Sequence, residues 1–321
     1  MDFEEIFYNY TTNFPMLRAD AHCDTLLALE KGEPRDIDPE TMHRFMDMQF
    51  MAIFIEEEQD VDKAKELLDH YYFYLRTLMT EEYSDLWIPL KNGDSFRRLD
   101  RENVGLISAI ENCAALAVDD DAVFEAYERG FRSFGIVWNN DNCLAGGTFG
   151  DGNVTVRGER LIRDLNRLPV AVDLAHMNEK SFYDALAIVE RPPIVTHTCC
   201  YDLNPHPRNL KENQMKELRM AGGIMGITFC DKFLEEKPEK ATVDSVIDHI
   251  LYASDYMGID KIALGSDFDG ASMPEDLNRQ QLLPDLYRRM KERDFSDDEI
   301  QMVAGENLFR YMYQTLSGEE R

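Results

Sequence analysis

Short apolar runs separated by longer stretches of helical spacing leave few folds open to this chain. The runs fall at 16–21, 48–55, 104–110, 131–137, 169–174, 193–196, 223–229 and 261–265, each of strand length and most rich in Val, Ile, Phe or Ala. Between them, 61–80, 121–129, 158–168, 178–189, 211–220 and 242–257 repeat apolar side chains at the three-to-four-residue interval of a helix. Ser296, three residues ahead of Glu299, forms a capping box that opens a last helix reaching about 316. Strand and helix alternating in this way is the pattern of a parallel sheet. Eight strands without a break in composition predict an α/β chain folded as one (β/α)8 TIM barrel, a single domain over 1–321. An open doubly wound sheet would carry a Gly-rich phosphate turn after its first strand, and AHCDTLL has none.

Three connections are longer than a barrel needs: 31–49, 91–102 and 139–156, the last rich in Gly and Asn. Long βα loops usually build or cover a site. Charge narrows what such a site serves. With 34 Lys+Arg against 62 Asp+Glu the net charge is −28, which repels phosphate backbones and anionic lipid, so neither nucleic acid nor membrane is an expected partner. No run approaches the ~18 apolar residues of a membrane span. The segment MDFEEIFYNY is acidic and aromatic, unlike the basic-then-apolar start of a secretory signal, and a cytoplasmic location is expected. The six cysteines form no C-x-x-C pair and are expected to be reduced thiols. Vicinal Cys199 and Cys200 read as buried and inert rather than as a redox switch.

Barrel enzymes place their working residues at the carboxy-terminal ends of strands. Here the first candidate strand runs into His22-Cys23-Asp24, the third into Glu111, the fifth into His176, the sixth into His197 and the eighth into Asp267-Phe268-Asp269. Three of the seven histidines thus occupy equivalent strand-end positions, together with several acids. Period-two alternation puts His22 and Asp24 on one face and Cys23 on the other. Singly, each histidine is more often a satisfied structural residue. Glu111, after the apolar GLISAI, would be an anomalous buried carboxylate without a cation beside it. Together they point to a metal site. Imidazole and carboxylate ligands without thiolate suit Zn²⁺, with Mn²⁺, Co²⁺ or Fe²⁺ as substitutes. Five such ligands exceed what one zinc with an open position takes, so two Zn²⁺ per chain bridged by Glu111 are expected. A hydroxide shared by the ions would be the nucleophile, since coordination lowers the pKa of water from 15.7 to roughly 7.

The blocks DAHCDTL, SAIEN, VDLAHM, PPIVTHT followed by HPRNL, and ALGSDFDG stand in an order and spacing that covers 17–309. In this they resemble the membrane (renal) dipeptidase family of amidohydrolase-type metal-dependent hydrolases, in a form similar to its bacterial members. The resemblance implies a binuclear zinc peptidase that hydrolyses dipeptides, often accepting a D-residue at the C-terminal position. It implies that His22 and Asp24 hold one zinc, that Glu111 bridges, and that His176 and His197 hold the other. Asp267 then corresponds to the family's acid/base carboxylate and Arg208, in HPRN, to its clamp on the substrate carboxylate. Family members are often dimers, and a homodimer is an expectation on that ground alone.

Departures from the family bear on substrate contacts. Where the mammalian members carry a histidine that touches the scissile carbonyl, this chain has Trp138 followed by Asn139, Asn140 and Asp141. Trp138 and Asn139 are therefore expected to contact substrate, with Asn139, Asn142 or a zinc ion open as partner of the oxyanion. A tyrosine common near the end of the seventh strand is replaced by Cys230. Asp269 is expected among the substrate-binding residues of the site, with an acceptor behind the ligands or a loop acid as its other readings. His206, beside Arg208, reads as structural, and His43, His70 and His249 carry no role. Two other functions stay open: hydrolysis of another amide or lactone, and a catalytically silent metal-binding relative. A silent relative would have lost a ligand or Asp267, and none is missing.

Overall fold

A computed structural model describes residues 16–56 and 60–318; the MDFEEIFYNY segment lies outside them. The strands are β1 (Ala19–Asp20), β2 (Met48–Phe54), β3 (Trp87–Pro89), β4 (Val104–Glu111), β5 (Phe131–Gly135), β6 (Ala171–Asp173), β7 (Ile194–Thr198), β8 (Ile224–Ile227) and β9 (Ile262–Leu264). All pair in parallel in the order β2-β1-β9-β8-β7-β6-β5-β4-β3, and β2 also pairs with β4 from Met48↔Gly105 to Phe54↔Glu111. That extra pairing closes eight strands into a (β/α)8 TIM barrel. β3 stands beside the ring: it pairs with Val104–Leu106 of β4, while β5 pairs with the later part, from Ser108 to Glu111. Three residues ending in proline carry too little periodicity to be read as a strand.

The helices are α1 (Thr25–Lys31), α2 (Val61–Thr77), α3 (Ala122–Arg129), α4 (Val156–Asn166), α5 (Glu179–Leu186), α6 (Glu212–Met220), α7 (Asp231–Leu234), α8 (Val243–Met257), α9 (Leu283–Glu292), α10 (Asp297–Gln301) and α11 (Asn307–Leu316). Side-chain caps set several of their starts: Thr155 accepts from Gly158 N, Asn178 from Ser181 N, and Ser296 exchanges bonds with Glu299. The helix expected from Ser296 to about 316 is interrupted by a wide π-type turn, Met302–Glu306. Within it Gly305 lies so close to β1 that a Cβ would come 2.7 Å from Ala19 N, so the turn widens where the backbones meet.

The main apolar core lies where strand side chains such as Met51, Ile53, Val172 and Leu264 meet helix residues such as Leu68, Ile162, Leu218 and Ile250. A second cluster joins Phe50, Ile107, Ile194 and Ile224 to Phe309 and Met312 of α11. Polar contacts fix α11 at the amino-terminal ends of the strands: Asn307 Nδ2 donates to Ile262 O at 2.8 Å and Tyr311 Oη to Pro192 O at 2.8 Å. With that end capped, the opposite end is left for a site. All six cysteines are free thiols, and no helix among the described residues is long and apolar enough to cross a membrane.

Candidate metal centre

Six side chains from five strand ends converge at the carboxy-terminal end of the barrel. His22 Nε2 lies 3.4 Å from Asp24 Oδ2, 3.6 Å from Glu111 Oε2 and 3.8 Å from Asp267 Oδ1. On the other side, Glu111 Oε1 lies 2.8 Å from His176 Nε2 and 3.8 Å from His197 Nε2, with those two nitrogens 2.8 Å apart. Glu111 therefore turns one oxygen to His22 and the other to the His176–His197 pair. Donor atoms each ~2.0–2.2 Å from a shared zinc stand roughly 3–3.5 Å apart, and the separations here, 2.8–3.8 Å, bracket that spacing.

The backbone is bent to serve this convergence. Asn112, His176, Asp267 and Asp269 all have φ between +66° and +74°, at the ends of β4, β6 and β9. Non-glycine residues in that region carry a cost of about 1–3 kcal/mol each and cluster where function demands a direction. Asn, Asp and His are among the side chains that tolerate it best.

Burial and charge set the electrostatics of these donors. Among the described residues, His22 Nε2 and Asp24 Oδ1 are buried without a hydrogen-bond partner, which is costly unless something else satisfies them. Against burial, which would lower it, the carboxylates of Glu111, Asp24 and Asp267 hold the His22 imidazole up at about 10. Burial pushes Glu111 and Asp267 above the usual carboxylate range, against the pull of His22. His176 and His197 are held well below the usual imidazole value, first by burial and then by nearby positive charge, and stay neutral as ligands must. His22, Glu111 and His197, and His22, Asp24 and Asp267, are groups whose donor atoms could hold a metal ion, and imidazole with carboxylate fits a divalent cation.

Around the donors lies a cleft of about 610 Å³ lined in part by Phe54, Trp138, Asn139, Arg208, Lys232 and Phe233. Arg208 is buried, gives Nη2 to His197 O at 3.1 Å, and sits with Cζ 5.3 Å from the Phe233 ring centre. Among the described residues its Nε, itself buried, has no hydrogen-bond partner. The Trp138 ring meets Phe54 edge-on at 4.8 Å and stands 6.1 Å from His176, an aromatic wall at one side of the cleft. Asn139 Oδ1 receives the His176 Nδ1 hydrogen at 2.9 Å, fixing that ring with Nε2 toward Glu111. Cys230 lines the cleft as well, its thiol pushed up by burial and by Asp267.

Some residues singled out in the sequence are placed elsewhere or otherwise engaged. Asp269 borders the cleft, but its oxygens accept from Thr25 Oγ1 and Asp36 N, both at 2.6 Å, and its own N–H goes to Asp36. It ties α1 and the loop after it to the end of β9. Asn142 is spent on its loop, donating to Asn112 Oδ1 and Ile136 O and accepting from Leu144 N and Ala145 N. His206 stacks on Phe233 and accepts the Arg208 N–H, and His249 is a core residue bonded to Cys200 N and Leu234 O. Sequence reasoning missed Phe54, Lys232 and Phe233, which carry no motif. It also missed Asp173 and Thr196, whose signal was a polar residue inside an otherwise apolar run.

The sequence pattern described as membrane dipeptidase (peptidase family M19) matches residues 11–320. A protein of Klebsiella pneumoniae, known only as an uncharacterized protein in the pqqA 5′ region, is 29% identical over 75% of this chain and 92% of its own length. The dipeptidase tcpJ of Claviceps purpurea is 35% identical over 49% of this chain and 37% of itself. Among solved structures, a metallopeptidase of Rhodobacter sphaeroides, liganded with a phosphinate mimic of the dipeptide L-Ala-D-Ala, superposes with a TM-score of 0.86. It is 23% identical over 94% of this chain and 99% of its own. A dipeptidase of the same family M19 superposes with a TM-score of 0.87 at 23% identity, again over 94% and 99%.

Proposed function

The chain belongs to the membrane dipeptidase family, peptidase family M19, whose members are metal-dependent peptide hydrolases, and from that premise we propose that it cleaves dipeptides with two zinc ions. The observation that carries the two-ion reading is the division of Glu111, one oxygen toward His22 and the other toward His176 and His197. His22 and Asp24 would hold one ion, His176 and His197 the other, with Glu111 common to both. Divalent ions bound there polarise a carbonyl oxygen and lower the pKa of water they coordinate.

The chain's own side chains do the rest. The Arg208 guanidinium, fixed by His197 O and Phe233 and lining the cleft, receives the substrate's C-terminal carboxylate and so orients the peptide bond over the donors. The wall formed by Phe54 and Trp138 excludes water from one side of the cleft and favours an apolar side chain there. Asp267 stands at the His22 side, 3.8 Å from Nε2. It takes the proton of the attacking water on a carboxylate oxygen and delivers it to the leaving amine, base first and acid second. The L-Ala-D-Ala mimic held by the structural relative supports a D-residue at the C-terminal position. The test is the rate of amine release from L-Ala-L-Ala and L-Ala-D-Ala by zinc-loaded protein and by the same protein stripped with chelator. Metal-dependent cleavage is expected, faster for L-Ala-D-Ala. Two bound ions with no cleavage of either would move the reading to another amide or a lactone.

A further inference from the structure

Two polar residues are buried in strands that begin apolar: Asp173, which ends β6 and is 7% exposed, and Thr196, which follows Ile194-Val195 in β7, at 1%. A buried carboxylate calls for partners, and Asp173 has three donors. Its Oδ1 accepts from Ala175 N and Thr196 N, each at 3.0 Å, and its Oδ2 from Thr196 Oγ1 at 2.6 Å. Thr196 Oγ1 in turn lies 2.9 Å from Nδ1 of its neighbour His197. Successive residues of a regular strand point to opposite faces, so this contact needs an irregular backbone. β7 supplies one: its register against β8 runs Ile194↔Ile224 and Val195↔Met225, then jumps to Thr198↔Ile227. Thr196 and His197 thus share the single opposite position of Gly226, a bulge that re-aims side chains. The bulge drives the Thr196 carbonyl toward β8 and the end of β9, where a Cβ on Gly226 or Gly265 would lie 2.0 or 1.8 Å from that oxygen. Only glycine leaves the room.

We propose that Asp173 and Thr196 form a positioning relay that places the proton of His197 on Nδ1 and so keeps its Nε2 bare as a metal ligand. The inference rests on the metal reading above. The threonine hydroxyl has one hydrogen, and the acceptor Asp173 takes it. What the hydroxyl then turns to His197 is a lone pair, which demands Nδ1–H. An imidazole protonated there carries its free lone pair on Nε2, the atom that faces Glu111 and His176. The opposite direction of bonding would put hydrogen on Nε2 and block it. Carboxylate partners behind ligating histidines fix the tautomer and raise ligand basicity; here the hydroxyl passes that influence on. Asn139 does the corresponding task for His176 without a charge.

Asp173→Asn tests this sharply. The amide keeps the shape and an oxygen for the two backbone N–H groups, but turns N–H toward Thr196, whose hydroxyl must then donate to His197. The measurements are the Zn²⁺ dissociation constant by chelator competition and the histidine-ring ¹⁵N spectrum of metal-free protein, for wild type, D173N, T196V and T196S. Expected are a ~10–100-fold weaker Zn²⁺ site in D173N and T196V, near-wild-type affinity in T196S, and a His197 ring shifted toward Nε2–H in D173N. Should T196V fail to fold, D173N carries the comparison. Variants that lose thermal stability yet keep wild-type Zn²⁺ affinity and ring nitrogens would overturn the relay. A wild-type protein that binds no Zn²⁺ would overturn the metal reading and the relay with it.

Discussion

Replacing Gly265 by alanine probes the floor of the centre without touching a donor. The new Cβ would lie 1.8 Å from Thr196 O and 2.9 Å from its carbonyl carbon, where real contacts stay above 3.0 Å. Relief requires a displacement of about 1.2 Å. The obstructing atom is backbone inside a closed ladder, so no side-chain rotation supplies it. Overpacking of this kind costs ~1–3 kcal/mol, and a rigid obstacle puts it near the top of that range. Over 321 residues, at ~2.1 cal/mol/K per residue, ~3 kcal/mol lowers Tm by about 4–5 °C. The shift is carried to His197, one residue on, whose Nε2 stands 2.8 Å from that of His176. A site tolerates roughly 0.5 Å of misplacement, and about 1 Å costs on the order of 10²-fold. G265A should therefore melt 4–5 °C low and, while fully folded at 25 °C, lose about 10²-fold in kcat/KM with a weakened Zn²⁺ site. Thermal melting, zinc competition and dipeptide hydrolysis on one preparation decide it. A G265A protein with wild-type Tm and wild-type kcat/KM would refute the argument that the bulge needs glycine.

Asp267→Asn should retain bound zinc but lower kcat by ~10²-fold or more, read by metal content beside turnover; normal turnover would remove Asp267 from proton transfer. Arg208→Lys keeps the charge but loses the planar fork, so KM for a dipeptide should rise ~10-fold or more while zinc content holds; an unchanged KM would place the substrate carboxylate elsewhere. His206 supplies a pH signature. Burial, then the charges of Arg208 and Lys232, depress its imidazole to about 4 from the usual 6.5. Between those values the unfolded chain binds more protons than the folded one, so this contribution is whole above pH 6.5 and is lost as pH falls toward 4. The difference in Tm between wild type and His206→Gln should accordingly move in favour of the variant across that window; a difference independent of pH would contradict the shift.

The donors were legible because of where they stand. His22, Glu111, His176, His197 and Asp267 each follow an apolar run, and a charged or imidazole side chain at the end of a buried strand is conspicuous to simple pattern reading. Local caps were legible too, as at Ser296. Short strands were not: β1 pairs in the ladder only at Ala19–Asp20, where 16–21 was expected, and β3 was missed because three residues carry no period. α1 and α9 were missed although Asp24 and Pro284 stand at their starts, since neither start carries a side-chain cap bond. Phe54, Lys232 and Phe233 could not be singled out, since nothing distinguishes them from packing or surface residues until neighbouring loops are brought beside them.

The sequence by itself determined the alternation of strand and helix, and with it the barrel and the strand ends that carry imidazole and carboxylate, because periodicity of two and of 3.6 is a property of a few consecutive residues. Tertiary structure decided everything that depends on register between distant segments. Closure of β2 on β4 divides the two oxygens of Glu111 between His22 and the His176–His197 pair. It brings Thr25 and Asp269, 244 positions apart, into one hydrogen bond that ties α1 to the end of β9. The slip of β7 against β8, made possible by Gly226 and Gly265, turns Thr196 toward Asp173. No local pattern encodes these meetings; ring closure fixes the stagger of eight strands at once, and the stagger sets which atoms face each other.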